Sequence, residues 1–414
     1  MAAGLVGSEI LAIAADIRER VSKGAEICNL TVGDFSPKEF AIPNALRDGI
    51  AAALAKGMTN YPPSSGIPEL RDSVVRLFER RLGLKYPVSS VLIAGGARPL
   101  IYGTYRTVVD PGDRVVYPVP SWNNNHYVNM MGADGVQVSC GPENRFLPTR
   151  QDLARVLPGA RLVCINSPLN PTGTAIDAAA LRGICEEIVA ENDARKASGQ
   201  RPLYLMYDQV YWMLRVPGVE HVTPPGLVPE MVDYTIFVDG ISKAFAATGL
   251  RVGWTVGPAD VIERMGVILG HVGAWAPKPE QHASAALLDD DATMDAYVAH
   301  LMEGLGARLE KLHQGFEAMK RDGLPVESIP PMGAIYLTVK IDPFGRRTPS
   351  GEVLRTNEDV RRYLLDAARF AVVPFQAFGV AGDAGWLRLS VGAVGLAELD
   401  GALERVSAAL KALS

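Results

Sequence analysis

The 414-residue chain is poor in the features that mark secreted, metal-binding and membrane proteins. It has four cysteines, Cys28, Cys140, Cys164 and Cys185, scattered with no C-x-x-C pair. That argues against a disulfide scaffold and for a reduced, cytoplasmic setting. The six histidines show no H-E-x-x-H or comparable spacing, so no metal site is indicated. No apolar stretch reaches the roughly 18 residues that a bilayer-spanning helix needs. Glu9, Asp16, Arg18 and Glu19 interrupt the first segment too early for a secretory leader. Basic residues are outnumbered, 41 Lys and Arg against 46 Asp and Glu, for a formal charge of −5. With no basic patch, a nucleic-acid partner is not expected. The pairs Arg80-Arg81 and Arg346-Arg347 read as solvated faces. There are no internal repeats and no low-complexity segment.

What is present is ordinary globular material, 48% hydrophobic and 21% charged. The length favours two domains over one simple core. Helices are expected over Ser8–Lys23, Pro43–Lys56 and Glu69–Leu82. Short apolar runs then alternate with helical patterns. The runs are Val91–Ala94, Arg114–Tyr117, Gly135–Val138, Arg161–Ile165, Pro202–Tyr207, Thr235–Val238 and Gly253–Val256. Helical patterns fall near Pro99–Val109, Asn124–Met131, Ala178–Glu191 and Pro258–Leu269. Such alternation predicts an α/β fold, a mostly parallel sheet with helices on both faces. After about residue 285 the texture changes. A long helix over Met294–Lys320, runs at Gly333–Val339, Ala371–Val373 and Trp386–Ser390, and a last helix from Leu396 predict a smaller α+β domain. The expected division is 45–285 for the large domain, with 1–44 and 286–414 forming the small one.

Several unusual residues sit just after predicted strands, where open α/β sheets collect ligands. Gly95-Gly96-Ala97 follows the first run and opens a helix. Backbone N–H groups there suit a phosphate, though a plain strand-to-helix turn reads the same way. In Asn166-Ser167-Pro168-Leu169-Asn170-Pro171-Thr172-Gly173, two prolines stiffen a turn that presents the Asn170 amide. Asp208 closes the run Leu203–Tyr207, with Tyr211 three residues on. A carboxylate there needs a partner, either a protonated heterocyclic nitrogen or a buried Lys or Arg. Lys243, in Gly240-Ile241-Ser242-Lys243, is flanked by small and apolar residues. Partial desolvation keeps such an amine neutral enough to form a Schiff base. Arg251 lies eight residues on, so both cations could face one anion. Arg388 sits inside Trp386–Ser390 and needs an anion, a ligand carboxylate or one from the protein.

Together these segments resemble the class I/II aminotransferases, the aspartate aminotransferase superfamily of pyridoxal phosphate enzymes, from about Leu30 to Gly392. The resemblance rests on N-P-T-G at Asn170–Gly173, D-x-x-Y at Asp208–Tyr211, Ser242-Lys243 with Arg251, and Arg388. It implies that Lys243 holds pyridoxal 5′-phosphate as a Schiff base and later moves the proton. Asp208 would pair with the pyridine nitrogen, and Asn170 and Tyr211 with the phenolic oxygen. Gly95, Gly96 and Ala97 would cradle the phosphate, with Arg251 closing the cradle. Trp122 would stack on the ring. Arg388 and Gly33 would contact the substrate. Tyr61 would reach the phosphate of a neighbouring subunit, which implies a homodimer with shared active sites.

The chain also departs from the family. Gly240 stands where many relatives carry a phosphate-binding serine, and Ser242 is the substitute. Pro374-Phe375 replaces a P-G pair. Ala97, with Arg98 beside it, replaces a lysine of acidic-substrate relatives. Further pocket candidates are Phe35, Lys38, Asn123, Asn124, Tyr336 and Phe378. The leading expectation is ping-pong transamination between an amino acid and a 2-oxo acid. Other reactions of the same framework, such as β-elimination, cyclisation, decarboxylation or racemisation, stand as the alternative. A non-catalytic ligand-binding relative is the third reading.

Overall fold

A computed structural model describes residues 9–414. Ser8 and the rest of the first eight residues lie outside the described residues. The strands are β1 (Cys28–Asn29), β2 (Val91–Ala94), β3 (Arg114–Val119), β4 (Asp134–Ser139), β5 (Ala160–Asn166), β6 (Tyr204–Asp208), β7 (Thr235–Gly240), β8 (Gly253–Val256), β9 (Val326–Ser328), β10 (Tyr336–Ile341), β11 (Phe370–Ala371), β12 (Val373–Pro374) and β13 (Trp386–Ser390). Seven of them form one sheet in the order β2-β8-β7-β6-β5-β3-β4. Within it only β8 runs against the rest, pairing antiparallel with β2 and β7.

Apart from the edge strand β4, which is mostly exposed, the strands read as largely apolar runs because both faces of this sheet are covered. Successive side chains point to opposite faces. Val163, Ile165, Leu205, Tyr207 and Phe237 enter one core. Leu162, Cys164, Tyr204, Met206 and Val238 enter the other. Helices Ala97–Val108 and Ala259–Val272 contribute to the second core, and Ala178–Ser198 to the first.

A second, antiparallel sheet has the order β12-β13-β10-β9, and β1 pairs in parallel with β11. The long helix Asp291–Arg321 and the helices Asn357–Ala368 and Glu398–Lys411 pack with it around a third core. The fold is therefore the mostly parallel α/β sheet with an α+β body that the sequence predicts.

Local differences have local causes. The run at Gly333–Val339 becomes a strand only from Tyr336, because Ala334 takes a left-handed backbone at φ +59°. Ala371–Val373 divides between β11 and β12, which pair with different neighbours. The helix Lys278–Leu288 carries no clear apolar stripe, since Gln281 and Ser284 are buried beside Leu287 and Leu288. The pattern missed it for that reason.

Candidate active site

The six like-directed strands of the large sheet finish at one edge. Register sets Asn166 beside Asp208, and Asp208 beside Val238. Gly253 pairs with both Gly240 and Ala94. The segments leaving this edge surround a cavity of about 290 Å³. Ala97, Trp122, Asn170, Asp208, Tyr211, Ser242, Lys243 and Arg251 line it from the large sheet, and Gly33 and Arg388 close it from the other side.

β2 leads through Gly95 and Gly96 into the helix Ala97–Val108, whose first N–H groups lack helical partners. Gly96 has φ +94°, and a Cβ there would overlap the Arg251 guanidinium. Arg251 donates to the Thr248 carbonyl at 2.6 Å and the Gly95 carbonyl at 2.9 Å. A fixed cation and a helix N-terminus thus converge at one spot. Gly240 has no room for a side chain, because a Cβ would come within 2.7 Å of the Val252 carbonyl. That explains the glycine where many relatives carry a serine, and Ser242 lines the cavity instead.

Lys243 lies on the single turn Ile241–Ala244 that follows β7. Its ammonium donates to the Gly33 carbonyl at 2.7 Å. Burial lowers its pKa to about 8, a shift that Asp34 opposes and that Arg388, Arg98 and Arg251 reinforce. Asp208, half-buried at the end of β6, accepts from the Val210 N–H at 3.2 Å. Burial raises its carboxyl to about 6, against the pull of that N–H and of Lys243. Among the described residues it forms no salt bridge, so the buried Lys or Arg partner is not what holds it. Below it, on the opposite sheet face, Asp239 accepts from the Trp212 indole at 2.8 Å and from the Gly240 N–H at 2.7 Å. That bond ties the Tyr211 turn to β7.

Asn170 is fixed by its own backbone, whose N–H donates to the Asn166 side chain at 2.7 Å. Asn166 in turn donates to the Asp208 carbonyl at 2.9 Å. Arg388 is buried in the middle of β13. It donates to the Thr31 carbonyl at 2.6 Å and to the Asn170 amide oxygen at 3.3 Å, while its Nε has no partner. Tyr336 and Phe378 lie 4.8 and 4.9 Å from its guanidinium carbon. Among the described residues no carboxylate pairs with it, which disposes of the protein-carboxylate reading.

Not every expected residue stands in the wall. Tyr61 is 80% exposed and packs edge-on against Trp275, 5.1 Å between centroids. Gly95, Gly96, Lys38, Asn123, Asn124, Phe375 and Phe378 lie outside the cavity wall. Phe35 is also outside it, with the Lys243 ammonium 6.0 Å from its ring. Arg98, which does line it, sits 4.6 Å over the Trp122 ring. Sequence reasoning missed Asp34, Asn166 and Thr248 as wall residues. The first two carry a usable signal, a polar side chain at a predicted strand end.

An α/β sheet whose strand ends set Lys243 and Arg251 around one cavity with the half-buried Asp208 suits a small anionic ligand. A family model for aminotransferase class I and II matches residues 25–406. An aspartate aminotransferase of Rhizobium meliloti is 32% identical over 98% of this chain and 94% of its own. A probable aspartate/prephenate aminotransferase of Thermus aquaticus is also 32% identical, over 98% and 97%. The crystal structure of the Rhizobium meliloti aspartate aminotransferase superposes with a TM-score of 0.90 at 30% identity, covering 100% of this chain and 98% of that one. The aspartate aminotransferase of Thermus thermophilus with maleate gives 0.87 at 27%, covering 99% and 98%.

The chain belongs to the class I and II aminotransferases. It moves an amino group between an amino acid and a 2-oxo acid, and transamination is the reaction for which these relatives are named. Among the described residues, no helix is long and apolar enough to cross a membrane.

Proposed function

We propose that this aminotransferase works by a ping-pong route on pyridoxal 5′-phosphate held by Lys243. The observation that carries the reading is the Lys243 amine: half-buried, lowered in pKa, and bonded to a carbonyl rather than a carboxylate. The surroundings fit the cofactor. Gly96 lets the Arg251 guanidinium pack against the helix N-terminus, the Arg388 Nε is an orphaned buried donor, and Asp208 lacks a cationic partner at hydrogen-bond distance.

When bound, pyridoxal phosphate supplies a carbonyl that takes up the amino group and a ring that draws electrons from the substrate carbon. The chain's own residues do the rest. Gly95, Gly96 and Ala97 at the helix N-terminus, with Ser242 and Arg251, hold the phosphate. Asp208 keeps the ring nitrogen protonated, because its carboxylate favours the charged form. Asn170 and Tyr211 serve the phenolic oxygen, and Trp122 lies against the ring. Arg388, with Gly33 and Asn170, seats the substrate carboxylate through a planar fork. Lys243 carries the proton.

The same reading extends to assembly. Tyr61 stands outside its own cavity and is largely exposed, which supports a role at a neighbour's phosphate in a homodimer with shared active sites. Residues 45–285 would form the large cofactor-binding domain, with 1–44 and 286–414 as the small domain. Four free cysteines support a cytoplasmic setting.

The test is to mix purified protein with each amino acid and follow the cofactor absorbance. Loss of the parent band with one or more amino acids, and its return with a 2-oxo acid, supports transamination. A band that returns without any 2-oxo acid while the amino acid is consumed would favour elimination, decarboxylation or racemisation, which give the cofactor back to the lysine at each turnover.

A further inference from the structure

Tyr211 and Tyr336 come from opposite sides of the cavity, 125 residues apart in the chain, yet their hydroxyls meet at 2.7 Å. Their rings stand edge to face with centroids 5.6 Å apart, and both side chains are buried. Among the described residues neither hydroxyl has another hydrogen-bond partner. A phenol has one proton to donate. One hydroxyl of the pair therefore donates inward, and the other keeps its proton for the cavity that both line. Burial raises both phenols, and Arg388 opposes the shift in each. In the reading above Tyr211 gives its own proton to the cofactor's phenolic oxygen, so the bond between the two hydroxyls runs from Tyr336 to Tyr211.

Tyr336 has two further contacts. Its ring face carries the Arg388 guanidinium at 4.8 Å. Its hydroxyl packs against Gly33, where a Cβ would come within 2.8 Å. The Gly33 carbonyl is the acceptor of the Lys243 ammonium.

We propose that Tyr336 is a positioning residue for transamination: it donates to the Tyr211 hydroxyl, so that Tyr211 presents its own proton to the cavity, and it seats the Arg388 guanidinium. This deepens the cofactor reading above and rests on it. In that reading the Tyr211 proton goes to the phenolic oxygen of the cofactor. A hydroxyl that accepts one bond donates the next more strongly. An oxygen held that way leaves the neighbouring nitrogen, the one joined to Lys243, with a weaker hold on its proton.

Tyr336→Phe removes the hydroxyl and keeps the packed ring. The absorbance of the bound cofactor, followed against pH, should then change at a midpoint higher by roughly half to one unit, the size of one hydrogen bond. In a Tyr211→Phe background the same substitution should add nothing, because the hydroxyl acts through Tyr211. Tyr336→Leu also removes the ring. It should raise KM for the amino acid by roughly threefold or more beyond Tyr336→Phe, through a weaker seat for Arg388. A Tyr336→Phe protein with the parent midpoint overturns the proposal, as does a shift that persists in full without the Tyr211 hydroxyl. The titration stands even where Tyr336→Leu does not fold. A parent protein that takes up no cofactor overturns the cofactor reading and this proposal together. A coloured parent with an unshifted Tyr336→Phe isolates the failure to Tyr336.

Discussion

The Lys243 ammonium donates to the Gly33 carbonyl at 2.7 Å, across 210 residues of chain. That bond joins the turn after β7 to the segment that follows β1, and it holds the amine without a counter-carboxylate. The amine is therefore held beside Gly33, with its pKa lowered by burial. Its reactivity follows from that placement.

The first prediction concerns pH. An amine whose pKa is lowered to about 8 becomes neutral, and nucleophilic, at lower pH than an ordinary lysine. Cofactor uptake by the cofactor-free protein should quicken as pH rises and level off above about 8. Stopped-flow absorbance checks this. A rate still climbing steeply near pH 10 contradicts the burial of Lys243.

Asp208→Asn should still bind the cofactor, since the phosphate cradle and Lys243 remain. It should lose most of the chemical step, because an uncharged amide no longer keeps the ring nitrogen protonated. Single-turnover kinetics separates the two effects. A variant reacting at the parent rate removes Asp208 from its assigned role.

Arg388 is buried between Tyr336 and Phe378 with an unpartnered Nε. Arg388→Ala removes a charge-assisted fork worth on the order of 1.5–3 kcal/mol, or roughly one to two decades in substrate binding. Colour should survive. Arg388→Lys should recover only part of the loss, because an ammonium cannot reproduce the planar fork. Parent-like amino-acid affinity in the alanine variant sinks the assignment.

Much of this site was legible in the sequence, for a physical reason. Asn170, Asp208, Lys243 and Arg251 each follow or precede a short apolar run, and polar side chains at such points must face a ligand or a partner. The parallel sheet was legible because its inner strands are buried on both faces and read as continuous runs. Tyr336 was visible only as a pocket candidate. Its meeting with Tyr211 depends on how the two sheets pack, which no local pattern encodes. The helix Lys278–Leu288 escaped because nearly every side is buried, which erases the stripe that marks a surface helix. The direction of β8 escaped too, since Gly253–Val256 has the same composition whichever way it runs.

Gly96→Ala tests the cradle. At φ +94° an alanine is strained, and its Cβ would displace the Arg251 guanidinium. Cofactor affinity should fall at least roughly tenfold, in line with loss of one charged contact. Equilibrium titration of the cofactor-free protein measures it, and unchanged affinity would move the phosphate elsewhere.

Tyr61 offers a test of assembly. Mixing a Tyr61→Phe protein with a Lys243→Ala protein should restore part of the activity through hybrid dimers, since one site then has both parent residues. Sedimentation of a fully active monomer contradicts the shared site.

The most direct measurement is borohydride reduction of the coloured protein, followed by digestion and mass mapping of the peptide that bears the cofactor. The cofactor mass should lie on Lys243 and on no other lysine, and Lys243→Ala should take up no covalent label. Label on another lysine, or a parent protein that binds pyridoxal phosphate without any reducible bond, would contradict the assignment of Lys243 as the residue on which the reaction turns.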